Sequence, residues 1–109
     1  MPAVTDERPF AVALNELGAC PAKGILSQTV HETPGVRVVL FHFAEGEQLS
    51  EHTASMPAII HVLDGHFRIL LDTTWHEADP GFWAYMVRGE LHALDATAPS
   101  VMLLTLLKG

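Results

Sequence analysis

The feature that most constrains this chain is its punctuation. From Gly24 onward, runs rich in β-branched and aromatic residues are cut by turn signals roughly every 8 to 12 residues. "GILSQTVHE" ends at Thr33-Pro34-Gly35, "VRVVLFHF" (Val36–Phe43) at Glu45-Gly46, "AIIHVL" at Asp64-Gly65, "WHEA" at Asp79-Pro80-Gly81 and "FWAYMV" at Arg88-Gly89. "HFRILLD", "LHAL" and "SVMLLTLL" complete a set of about eight strands, the count of an antiparallel jelly-roll barrel or a sandwich. No segment carries the 3.6-residue period of a long amphipathic helix, so crossover helices and a parallel α/β sheet are excluded. Asp64-Gly65 is the strongest hairpin signal, and it predicts that the strands on either side pair with each other.

With 109 residues the chain has room for one domain. The boundaries read as an N-terminal leader or arm over 1–24 and a single barrel over 25–109. Within the arm, "FAVALNELGAC" (Phe10–Cys20) reads equally as a short helix or as irregular chain. Hydrophobic residues make up 49% and charged residues 17%, which supports a packed core and excludes global disorder. A formal net charge of -7 argues against a nucleic-acid partner and against docking on an anionic membrane. Apolar runs such as "VMLLTLL" fall far short of the roughly 20 residues a spanning helix needs. One cysteine, Cys20, excludes an internal disulfide and reads as a small buried or semi-buried hydrophobe. With an N-terminus "MPAVTDERPF" that lacks a signal-peptide core, the expected location is cytoplasmic.

Seven histidines are more than this composition leads one to expect. The densest stretch is "EHTASMPAIIHVLDG", Glu51 to Gly65. In extended chain His52 and residue 54 face the same way, and the place where a second ligand is most expected holds Ala54. Glu51, one residue from His52, points the opposite way, and His61 lies on the other face of its strand from Ala58.

Two glycine-anchored motifs carry a family resemblance. Gly46, five residues and His52, followed by Gly65 at the closing position, match the first motif of the cupin superfamily. Gly81, five residues, Val87-Arg88-Gly89, two residues and His92 match the second, with valine for its proline. The resemblance, which includes the conserved-barrel cupin 2 type, covers roughly residues 36 to 107. It implies a double-stranded β-helix in which His52 and His92 meet inside one barrel, and it implies a homodimer. It also implies a metal held by three histidines and one glutamate, but the second-histidine position is Ala54 and the glutamate position is Ala58. The asparagine position that ends the second motif is Ala96.

Two readings of the site follow. In the first, His52 and His92 form the polar centre of an interior pocket for a small-molecule ligand, with at most weak binding of a divalent metal such as Zn, Fe, Mn or Ni. In the second, His42, His61 or Met56 completes a metal site, and the protein is an oxygenase or isomerase acting on a small organic acid or sugar. Met56 is a soft thioether, better suited to copper(I) than to zinc. Trp83 and Tyr85 share one strand face and are candidates to line the pocket, and Arg88 is a candidate to meet an acidic ligand at its mouth. His31, His66 and His76 lie near strand ends and are expected in solvent. "SVMLLTLL" is apolar on both faces, so its outer face calls for a cover, either the arm or a second subunit.

Overall fold

The computed structural model describes residues 9–108. A single 3-10 turn, Leu14–Glu16, precedes nine strands: β1 (Ile25–Glu32), β2 (Val36–Phe43), β3 (Gln48–Thr53), β4 (Ala58–Asp64), β5 (Phe67–Leu71), β6 (Thr74–Ala78), β7 (Trp83–Met86), β8 (Leu91–Ala96) and β9 (Ser100–Leu107). They form a five-stranded sheet, β1-β2-β9-β4-β7, and a four-stranded sheet, β3-β8-β5-β6, with every pairing antiparallel. The chain passes repeatedly from one sheet to the other, as expected for a jelly roll. No helix among the described residues is long and apolar enough to cross a membrane.

The strand beyond the expected eight is β3. Its sequence, QLSEHT, is almost wholly exposed, so no apolar alternation announces it. It lies at the edge of the smaller sheet and pairs only with β8.

A second departure concerns Asp64-Gly65. β4 and β5 do not pair; β4 lies between β9 and β7, and β5 between β8 and β6. The turn therefore carries the chain round a corner between the two sheets. A sharp reversal is all that a local signal specifies, and here the partner of each strand is set by long-range packing. The two-residue hairpin lies instead at Asp72-Thr73, where Leu71 pairs with Thr74 and Asp72 adopts φ 60°. Aspartate tolerates that conformation better than most side chains.

The core forms where the inner faces meet. Phe43, Ile60, Val62, Phe67, Ile69 and Met102 are almost fully buried. Phe43 and Phe67 pack edge to face, 5.1 Å between centroids, an arrangement worth about 0.5–1.5 kcal/mol beyond the area it buries.

The outer face of the larger sheet divides in two. On one half the arm covers Val38, His42 and Val101, with Val12 and Leu14 lying against it and Phe10 stacked on His31 at 4.7 Å. On the other half Ile59 and Leu103 are half-buried, while Trp83, Tyr85 and Val87 stand in solvent. The arm thus supplies cover for β9 on one side, and the other half is left open among the described residues. Cys20 is exposed rather than buried, and its thiol donates to the Phe43 carbonyl oxygen at 3.0 Å.

His66, expected in solvent, ties turns together at the far end of the barrel. Its Nδ1 lies 2.8 Å from Asp79 Oδ1 and its Nε2 2.7 Å from Glu77 Oε1, and Arg68 Nε donates to Glu77 Oε2 at 3.2 Å. A ring that meets carboxylates at both nitrogens must donate from both, so it is the imidazolium. The bond to Asp79, then that to Glu77, holds the His66 pKa above its ordinary value. A raised pKa gives stability that is fully present below the unfolded-state value of about 6.5 and disappears as pH rises through the folded value. Unfolding by urea between about pH 6 and pH 9 should therefore show a loss of stability in the wild type that His66→Ala lacks. Equal pH profiles would contradict the cluster.

Candidate functional site

His52 lies on the edge strand β3 and His92 on the neighbouring β8, where the two residues are direct cross-strand partners. Residues so paired hold their Cβ atoms about 4.5–5.5 Å apart, which brings the rings together. The centroids are 3.9 Å apart with planes at 64°. The pairing depends on an irregularity. The register shifts between Leu49 and His52, so two residues three apart both reach the interior, which a regular strand would forbid. His92 is buried at 7% exposure, while His52 is exposed at the rim.

Each ring is anchored in the same way. His52 Nδ1 lies 2.7 Å from the Ser50 carbonyl oxygen, and His92 Nδ1 3.3 Å from that of Glu90. A carbonyl oxygen can only accept, so both Nδ1 atoms carry the proton and, in the neutral ring, Nε2 carries the lone pair. Burial, opposed by the Glu90 carbonyl bond, pushes the His92 pKa below its ordinary value and favours its neutral form.

The pair closes one pole of a cavity of about 180 Å³. The walls are Phe41, Leu49, Ile60, Leu94, Leu104 and Leu106, with Ala54 and Ala58 also at the surface. Met56, Met86 and Met102 line it too, and they are every methionine among the described residues. Thr53 and Ser55 add hydroxyl groups near the mouth. No charged side chain among the described residues lines it.

Other expected site residues fall elsewhere. Trp83 and Tyr85 point out of the barrel, because the parity of β7 sends Ala84 and Met86 inward. Arg88 sits in the exposed turn after β7 and does not reach the cavity. His42 is on the outer side of β2 beneath the arm, beside Cys20. His61 is on the outer face of β4, opposite Trp83 in the β4–β7 register. Of the supplementary ligands considered, only Met56 lines the same cavity as the histidine pair. Met86, Met102 and the β9 leucines were not singled out in the sequence. Only the phase of their strands marks them, and that phase is fixed by pairing across the sheet.

No family model matches the chain, nor does any curated protein. Solved structures do. A cupin superfamily protein from Desulfitobacterium hafniense is 25% identical, with TM-score 0.82, over 95% of this chain and 94% of that one. A conserved protein of unknown function from Streptococcus pyogenes is 23% identical, with TM-score 0.82, over 94% and 90%. The barrel has the cupin fold. A cupin 2 conserved barrel domain protein from Leptotrichia buccalis is 27% identical, with TM-score 0.78, over 86% of this chain and 46% of that one.

The donor set of this barrel does not fit the divalent metal that the resemblance implies. Two of the four expected positions, Ala54 and Ala58, carry methyl groups that line the cavity. Among the described residues no group of three or more His, Cys, Asp or Glu side chains converges. Zinc and non-haem iron sites call for at least three such ligands, with a carboxylate in the iron case.

Proposed function

We propose that this cupin binds a small, uncharged, largely apolar molecule carrying one hydroxyl or N–H group. The observation that supports this most is the shared tautomer of His52 and His92. Two adjacent imidazoles, each with its Nε2 left as an acceptor, line a cavity that otherwise offers mostly hydrocarbon and thioether. An apolar cavity of about 150 Å³ holds benzene, so the volume here suits a single ring with one substituent. Burying the ring in the apolar wall would supply most of the affinity, and the imidazoles would fix its orientation.

The other reading from the sequence, a metal-dependent oxygenase or isomerase acting on a small organic acid or sugar, has less support. Among the described residues no cationic side chain lines the cavity to meet an acid, and they bring too few polar atoms to satisfy the hydroxyls of a sugar.

Phenol and toluene have nearly the same shape and differ in the donor. Calorimetry should give phenol a Kd of about 0.01–1 mM, with toluene about tenfold weaker. The preference should collapse in His92→Ala. Equal affinity for the two in the wild type, or binding of neither, would overturn the proposal.

A further inference from the structure

The misfit to a divalent ion leads to a different metal. Neither of the two ligands offered by His52 and His92 carries charge when neutral, and among the described residues no carboxylate lines the cavity to balance a doubly charged ion. The cost of placing an ion in an apolar site rises steeply with its charge. A singly charged ion is therefore much less penalised than a doubly charged one.

The remaining donors are thioethers. Met56, Met86 and Met102 line the same cavity as the two imidazoles. Met86 and Met102 are buried, at 3% and 1% exposure, on β7 and β9 of the larger sheet, across the barrel from β3 and β8. Met86 is the register partner of Ala58, so a thioether flanks the position where the family resemblance expects a glutamate. The alanine keeps its own side chain out of that space. Thioether sulfur and imidazole nitrogen together select copper(I) among common metals, whereas magnesium, calcium and manganese prefer oxygen. Both imidazoles also have the outer hydrogen bond that metal-bound histidine nearly always makes, from the opposite nitrogen to a backbone carbonyl.

We infer that His52 and His92, with Met86 and Met56, form a site for a single cuprous ion in this cavity. The two Nε2 atoms are the nitrogen ligands, and the thioethers complete a neutral, soft donor set. Met102, deeper in the barrel on the row that joins Phe41 to Val62, contributes a third sulfur to the lining. No electron transfer is involved, since the ion binds and leaves as copper(I). The inference goes beyond small-molecule binding and does not depend on it.

The test is anaerobic titration of the full chain with copper(I), in competition with a chromophoric cuprous chelator. Cys20 is exposed and its thiol would take copper(I) independently, so the titration uses Cys20→Ser as its background. One equivalent should be retained against the chelator. Met86→Leu conserves volume and should weaken copper(I) binding by at least about tenfold, the smallest loss that even an outer-shell partner brings. His92→Ala should abolish retention. Zinc, nickel, manganese and copper(II) should each bind more weakly than copper(I). Tighter binding of copper(II) or zinc, or unchanged copper(I) affinity in Met86→Leu, would overturn the inference. Absence of copper(I) retention in a protein that still prefers phenol to toluene would end the copper site and leave the small-molecule reading standing.

Discussion

Gly65→Ala will destabilise the barrel by about 2–4 kcal/mol. Two independent effects add at this position. Gly65 has φ +79°, the left-handed region, where a side chain costs about 1 kcal/mol. A Cβ there would also collide with the Ser100 hydroxyl and the Pro99 carbonyl oxygen, and would lie 2.7 Å from Ser100 Cα. Two of those three atoms belong to the backbone and cannot swing aside. The clash falls at the corner where β4 gives way to β5 and the chain changes sheets. There the Ser100 hydroxyl accepts from the His66 backbone N–H at 2.9 Å, and Ser100 is itself fully buried. Moving Ser100 therefore breaks a satisfied buried hydrogen bond, which adds to the overpacking. Thermal unfolding should show Tm lower by roughly 8–32 °C, at about 4–8 °C per kcal/mol for a domain of this size. Gly24→Ala is the control for conformation alone. It has φ +86° and, among the described residues, nothing within 4 Å of the added atom, so it should lose only the backbone part. Equal losses in the two variants would show that the corner is not tightly packed.

That corner also shows where sequence reading stops. Asp64-Gly65 correctly marks a reversal, but a dipeptide cannot specify whether the chain doubles back within a sheet or crosses to the other. That depends on partners far along the chain, among them Ser100, 35 positions away, which packs against the corner. The histidine pair was legible for the opposite reason. It rests on the family resemblance, whose glycine-to-histidine spacings, Gly46 to His52 and Gly89 to His92, can be read along the chain alone. The pocket walls were harder to read. Trp83 and Tyr85 are the conspicuous residues of β7, yet inward and outward residues alternate, and phase alone separates the aromatic pair from Ala84 and Met86. β3 was missed because an exposed edge strand needs no apolar face. The irregularity that lets it present both Leu49 and His52 to the interior has no sequence signature at all. What the sequence conveyed well was therefore spacing along the chain, and what it withheld was pairing between distant segments.

The two alanines of the cavity lead to the last prediction. Ala54→His with Ala58→Glu should convert this barrel into a divalent metal protein. Both alanine side chains line the cavity that the imidazoles line, so the new imidazole and carboxylate would enter the same space, which has room for them. The rebuilt set would be three nitrogens and one carboxylate, enough for zinc, with an anion to offset its charge. Without metal the variant should be less stable than the wild type by about 3 kcal/mol, because Ala58 is 2% exposed and a carboxyl group there loses its water without gaining a partner. Zinc should reverse the loss. At a free concentration a thousand times Kd, a ligand that binds only the folded state returns about 4.1 kcal/mol, which exceeds the deficit. The signature is thus a crossing: the metal-free variant melts below the wild type, and the zinc-loaded variant melts at or above it. Ala58→Glu alone should show the deficit with only partial recovery, since three donors including a single carboxylate bind less tightly than four. A double variant whose Tm does not respond to zinc would mean that positions 54 and 58 do not converge with the histidine pair. Ala54 and Ala58 would then not stand at ligand positions of this site.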